Sequence, residues 1–327
     1  MRCAPAARDC DPGPPGPSRL DSGPPVSWDG TVATDTATDV FEEHRPVLIG
    51  VAYRMLGRVA DAEDVVQDAW LRWSTADREQ VREPRAYLVR VTTRLAIDRL
   101  RHAQSRRESY VGPWLPEPFV TDFGPTVPDT AERAMLADSV SLAVLVVLES
   151  LSPLERAVFV LREAFGFPYS EIAVTLDRSE AAVRQLAGRA RKHVDEGRPR
   201  YDVDPVERRD LTERFLAAAT EGDLDGLMAL LAPDVRLVGD SGGKTRAPLR
   251  VLETADKVGR FVLGATKKGV PDADRVEFRF VELNGAASVI FLVDGKVDSV
   301  FQLDVADGRV QSVYVVRNPD KLVALSA

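Results

Sequence analysis

The sequence predicts a multidomain chain, with two all-α helical domains followed by a C-terminal α+β module. Three observations carry this. Apolar residues recur at steps of three and four through two stretches, about 40–104 and 130–194. The second stretch holds two helical patterns separated by the tight turn Asp177-Arg178-Ser179. Beyond residue 205 two more helices give way to Val- and Phe-rich runs with Asp-Gly turns at Asp294-Gly295 and Asp307-Gly308.

Composition narrows the function classes. The chain has 327 residues, enough for two or three domains, and a net charge of −8. The sign of that total is misleading, because basic residues cluster. Eight arginines fall between Val81 and Arg107, and seven basic residues between Arg178 and Arg200. Local clusters set the field that a DNA backbone meets. The two cysteines, Cys3 and Cys10, lie in a Pro-, Gly- and Ser-rich tail, residues 1–38, expected to be disordered. No disulfide framework, Cys-based metal site or cofactor is expected, and a reducing cytoplasm fits. No apolar core of a signal peptide is seen at the start, and the longest apolar run, Leu142–Leu148, is too short to span a bilayer.

In the first block, Ala62, Val65, Val66, Ala69, Trp70 and Trp73 share one helical face, while Asp61, Asp64 and Asp68 share another. Acids here suit a helix start and a solvated surface. After Pro84, a good first helical residue, Leu88, Val91 and Leu95 form an apolar stripe, while Arg90, Arg94 and Arg101 line a second face beside Tyr87. Aligned cations with a nearby aromatic suit a phosphate backbone and an unstacked base. The runs DAEDVVQDAWLRW and PRAYLVRVTTRLAIDRLR resemble region 2 of extracytoplasmic-function (ECF) sigma factors. The resemblance implies that Asp61, Glu63, Asp64, Gln67 and Asp68 meet the β′ clamp helices of core RNA polymerase. It also implies that the loop 74–83, Tyr87, Arg90, Thr93, Arg94 and Arg101 face the −10 element, with Thr93 standing near where many relatives carry Asn.

In the second block, Ser152-Pro153-Leu154-Glu155 reads as a capping box with proline at the first helical position. A short helix through Leu176 and a second one capped by Ser179 make a helix-turn-helix. The second helix is expected to bury Val183, Leu186, Ala190 and Val194, and to present Ala181, Arg184, Gln185, Gly188 and Lys192. Small residues admit DNA closely, and Arg or Gln can read base edges. A glycine inside a helix costs about 1 kcal/mol. Close approach of DNA would explain Gly188, and so would the absence of any constraint. The run from Leu151 to Lys192 is similar to sigma region 4, which implies −35 binding by Ser179, Ala181, Arg184, Gln185, Arg189 and Lys192 and a contact to the polymerase β flap.

The last block is expected to hold helices over Leu211–Ala219, Leu224–Leu231 and Ala255–Leu263, with strands over Val276–Leu283, Ala286–Val293, Lys296–Val305 and Arg309–Arg317. It resembles the SnoaL-like, NTF2-type cone. Together with Trp114-Leu115-Pro116-Glu117-Pro118 and Asn318-Pro319-Asp320-Lys321, it resembles the sigma-J-like subgroup, in which a fused module modulates sigma activity in place of a separate anti-sigma protein. The subgroup's Asp-Gly-Gly-Gly-Arg-like turn corresponds to Asp240-Ser241-Gly242-Gly243-Lys244, a regulatory turn here with Ser and Lys substituted. Such cones often hold a small ligand, and some are enzymes. This one has no histidine, which leaves Asp240 and Tyr314 as a formal acid/base pair without a convergent motif.

The domains expected are therefore the tail, region 2 over 39–107, a linker over 108–129, region 4 over 130–197, a linker over 198–205 and the cone over 206–327. The function expected is promoter recognition with core RNA polymerase, without chemistry or cofactor. The rival is a stand-alone helix-turn-helix regulator with a ligand-sensing domain. A polymerase-facing acidic helix discriminates between the two.

Overall fold

The computed structural model describes residues 36–107, 109–120, 141–197, 204–269 and 275–325. The expected disorder of the tail and the start of the second block at 130–140 lie outside them. The first helix begins inside the segment assigned to the tail.

Three helices form the first block: α1 (Thr36–Leu56), α2 (Val59–Ser74) and α3 (Pro84–Arg107). Ala62, Val65, Val66, Ala69 and Trp73 of α2 are buried, as the period requires. The Trp73 indole donates to the Ala37 carbonyl at 2.9 Å, tying α2 to the start of α1. Burial on α3 differs from the expected stripe: Leu88 and Val91 are buried and Leu95 only partly, while Val89, Thr92, Thr93, Ala96, Ile97 and Leu100 are buried too. This helix packs against α1, α2 and the second block together, so more than one of its faces is covered.

The second block contains α4 (Leu142–Leu148), α5 (Pro153–Phe159, continued by a π turn over Val160–Ala164), α6 (Tyr169–Leu176) and α7 (Glu180–Gly197). Ser152 and Glu155 close the capping box. Asp177 takes the left-handed conformation (φ 53°) that ends α6. The Ser179 hydroxyl accepts from Ala182 N at 3.2 Å to start α7. One apolar core runs without a break from α1 to α7.

The C-terminal module contains α8 (Pro205–Glu221), α9 (Leu224–Leu230), β1 (Leu231–Asp240), β2 (Leu252–Glu253), α10 (Ala255–Lys268), β3 (Val276–Leu283), β4 (Ala286–Val293), β5 (Lys296–Ala306) and β6 (Arg309–Val316). The sheet order is β2-β1-β6-β5-β4-β3, antiparallel except for β1 beside β6. Strands β3 to β6 form a meander whose turns, Asn284-Gly285, Asp294-Gly295 and Asp307-Gly308, have positive φ at both residues. That is the hairpin geometry these dipeptides favour. One face of the sheet packs under α8, α9 and α10. The other face receives Leu115 and, from α4, Leu142 and Ala143. The module is therefore packed onto the segment that joins the two helical blocks.

Candidate polymerase and nucleic-acid interfaces

On α2, Glu63, Asp64, Gln67 and Asp68 are exposed along one face. Asp61 differs from them. Its side chain is only 16% exposed and accepts from Arg99 Nη2 at 2.7 Å and Nε at 3.1 Å, while Asp64 takes Nη2 at 2.6 Å. Asp61 therefore ties α2 to α3, with exposed Asp64 sharing the same guanidinium, and the exposed acidic face runs from Glu63 to Asp68. Leu71, 56% exposed, follows Asp64 by two helical turns and adds an apolar spot that the acidic pattern did not signal.

The five DNA-facing residues expected on α3 divide. Tyr87 lies half buried against Trp73, ring centroids 5.7 Å apart, with the Arg90 guanidinium 5.4 Å from its ring centre. Arg101 is exposed beside Asp98, at 3.2 Å. Thr93 is a correction: at 0% exposure it lies on the buried side with Val89 and Ile97 and meets no solvent. Arg94 donates through Nε to the Thr175 carbonyl at 2.8 Å and through Nη2 to the Val174 carbonyl at 3.2 Å, both on α6. A cleft of about 670 Å³ separates Arg82, Tyr87 and Arg90 from Ser170, Glu171 and Val174 of α6.

On α7, Ala181, Arg184, Gln185, Gly188, Arg189 and Lys192 are all exposed, and Val183, Ala187, Ala190 and Val194 are buried. Leu186 is half buried, with Ala187 taking the place expected for it. Arg189 reaches Glu155 at 2.8 Å, and Arg184 pairs with Glu180. A Cβ at Gly188 would meet no atom within 4 Å. The reading face is flat and open there.

The expected regulatory turn is part of a joint. Asp240 is buried and accepts from Tyr110 Oη at 2.5 Å, Leu115 N at 2.8 Å and Lys321 Nζ at 2.6 Å. Lys321 also donates to the Leu115 carbonyl at 2.5 Å and lies 4.0 Å from the Trp114 ring centre. Burial, then the Asp240 carboxylate, pushes the Tyr110 hydroxyl well above its ordinary pKa. Gly242 (φ 57°) has no room for a side chain, since a Cβ would stand 2.6 Å from Asn318 Nδ2. Gly243 faces Val111, and Lys244 pairs with Asp320.

A second set of bonds ties the same segment to the first block. Tyr53 Oη donates to the Glu117 carbonyl at 2.7 Å and accepts from Asn284 Nδ2 at 2.7 Å. Asn284 also accepts from Phe119 N at 3.1 Å. Arg58, at the start of α2, makes no side-chain cap; the Glu117 carboxylate accepts from Val59 N at 3.1 Å instead. Burial raises the Glu117 pKa above the usual carboxylate value.

Residues 40–106 match the family model for Sigma-70 region 2, and residues 141–194 match that for Sigma-70, region 4. The chain is 43% identical over 290 residues to the ECF RNA polymerase sigma factor SigJ of Mycobacterium tuberculosis, covering 86% of this chain and 91% of that protein. The chain belongs to the ECF RNA polymerase sigma factors. It is also 34% identical over 295 residues to the probable sigma factor SigI of the same species, covering 90% and 97% of the two chains. The crystal structure of M. tuberculosis SigJ aligns at a TM-score of 0.68 and 38% identity, covering 87% and 98%.

As an ECF sigma factor the chain acts with core RNA polymerase in promoter-directed initiation of transcription. Region 2 comprises α1–α3, and region 4 comprises α4–α7. The joint residues Tyr53 and Tyr110 carry no local sequence signal, because each partner is distant in the chain, and Glu117 is marked only by the resemblance of its Trp114–Pro118 run. Asn284 is the one with a visible cue, the Asn-Gly turn, and that cue speaks for the hairpin alone. Among the described residues no cluster of three or more potential ligands could hold a metal ion, and no helix is long and apolar enough to cross a membrane.

Proposed function

We propose that this sigma factor meets the β′ clamp helices through Glu63, Asp64, Gln67 and Asp68, and the −10 element through Tyr87, Arg90 and Arg101. Region 4 reads the −35 element through Ser179, Ala181, Arg184, Gln185, Arg189 and Lys192 and meets the β flap. The C-terminal module, SnoaL-like in its element order, modulates initiation by gripping the linker between the two regions, so that no separate anti-sigma protein is required. The observation that carries this last step is the buried Asp240–Lys321 pair enclosing Leu115. A module serving only as a ligand sensor would have no need to bury its acid in the linker.

The same placement removes Asp240 as the base of an Asp240–Tyr314 pair. Asp240 is committed to three donors and closed off from solvent. A cavity beside Tyr314, lined also by Gln302 and Arg208, measures about 10 Å³. That is room for about one water rather than a substrate. The test is reconstitution of the full chain with sigma-free bacterial core polymerase on promoter libraries. Selective transcripts sharing a −35/−10 pair are expected. DNA binding without initiation would instead favour the stand-alone regulator.

A further inference from the structure

Strand β3 ends the sheet beside β4, and among the described residues no further strand lies beyond it. Only Val120 reaches its outer side, pairing opposite Leu283, and at the same end Asn284 N donates to the Phe119 carbonyl at 2.8 Å. The inner side is filled by β4 in an unbroken register, from Val276 opposite Val293 to Leu283 opposite Ala286. Just before that register the Arg275 carbonyl accepts from Asp294 N at 2.9 Å. Backbone bonding alternates from side to side along an antiparallel strand. The odd-numbered residues of β3 therefore turn their N–H and C=O groups to β4, and Val276, Phe278 and Phe280 turn theirs outward.

The same three residues are 40–45% exposed. They stand on the face of the sheet that α8, α9 and α10 cover elsewhere: the Phe278 ring meets Phe291 with centroids 4.7 Å apart, and Arg209 of α8 lies over Phe280 at 5.7 Å. Glu277 and Arg279 point to the opposite face. Glu277 keeps a surface contact to Arg275 at 3.0 Å, while Arg279 is exposed with no acidic partner among the described residues. Charge on an edge strand ordinarily keeps a second copy away. Here it is self-complementary. With β3 laid antiparallel against itself about Phe278, Phe278 faces Phe278 and Val276 faces Phe280, each through outward-turned backbone groups. That register also sets Glu277 opposite Arg279 twice, in the non-hydrogen-bonded pairs where side chains come closest. Shifting the centre by one residue would set arginine on arginine or glutamate on glutamate. Shifting it to Phe280 would bring Val276 of the second copy onto Asn284, whose N–H Phe119 already takes.

We propose that β3 is a docking edge for a second copy of this chain, through which two C-terminal modules join into one continuous sheet with a twofold axis at Phe278. The backbone supplies the attachment, the row Val276, Phe278 and Phe280 meets its own copy on one face, and two Glu277–Arg279 pairs fix the register on the other. Phe119 and Val120 of the linker close the far end of the edge and set where the pairing stops.

The test is sedimentation velocity of the full chain from micromolar to near-millimolar concentration, where a monomer–dimer equilibrium is expected. Glu277→Arg and Arg279→Glu should each weaken dimerisation at least tenfold, because like charges then meet in both cross-strand pairs. Neither side chain is buried, and an unchanged melting temperature serves as the control for folding. An equimolar mixture of the two variants should regain the dimer, since one chain then brings two arginines to the edge and the other two glutamates. A monomer at every concentration would overturn the proposal and would mean that the edge is closed from within the chain. A dimer indifferent to both reversals would overturn it too, by placing the contact on another surface. So would a mixture that fails to recover the dimer.

Discussion

Asp240 and Lys321, 81 positions apart, form a buried ion pair with Nζ 2.6 Å from Oδ2. The linker runs against it, with Leu115 giving its N–H to the acid and its carbonyl to the base. Two charges taken out of water are tolerable only when each is fully bonded. The linker backbone completes both sets.

Removing one partner should therefore cost more than removing both. Asp240→Asn or Lys321→Ala is expected to lower stability by about 3–5 kcal/mol, since a lone buried charge remains. The apolar pair Asp240→Leu with Lys321→Met should recover a substantial part of it. Urea unfolding of the three variants checks this. Loss of the grip should also raise promoter-specific transcription, read in the reconstituted system, and an unchanged output would count against modulation through the linker.

Glu117 allows a test in pH. Burial holds its carboxyl above the ordinary 4.5. The folded chain then binds that proton more tightly than the unfolded chain does, so ionisation costs stability. The cost begins as pH rises through the unfolded value and is complete above the raised folded one. Glu117→Gln keeps an acceptor for Val59 N, and its stability relative to the native chain should increase across that window. Glu117→Ala loses the cap of α2 as well and should be less stable than Glu117→Gln by about 0.5–2 kcal/mol at every pH.

The acidic face of α2 should divide under mutation. Asp68→Lys or Gln67→Lys is expected to weaken binding to core polymerase by at least tenfold with the melting temperature unchanged. Asp61→Ala should lower the melting temperature, because Arg99 loses the more buried of its two carboxylate partners. Paired calorimetry and polymerase pull-down distinguish the two classes.

On α7, Arg184→Ala and Gln185→Ala should relax −35 discrimination by about 1–3 kcal/mol at the base each one reads. Lys192→Ala should weaken all sequences alike and reduce the salt slope by about one charge. Binding titrations at two salt concentrations on matched and mismatched duplexes check both.

Local rules carried much of this fold. The capping box at Ser152 and Glu155, the Ser179 cap and the Asp-Gly turns depend on residues within a few positions of one another, and so could be read directly. Burial of Thr93 could not, because α3 packs on three sides and a single apolar stripe underestimates a central helix. The joint was invisible for a related reason. Tyr53 to Asn284 and Tyr110 to Asp240 are polar contacts across the chain, and polar contacts leave no period. The family resemblance marked the turn at Asp240 as important but did not indicate what it holds.

The order of synthesis gives the Asp240–Lys321 pair another meaning. The ribosome releases regions 2 and 4 first, and the linker emerges long before Lys321. Until that lysine arrives, the Asp240 carboxylate has no cation beside it and the linker has no closed seat. A newborn chain therefore passes through an interval in which both promoter-reading regions are made and the grip on them is not. Any nascent chain cut or stalled upstream of Lys321 would stay in that ungripped condition.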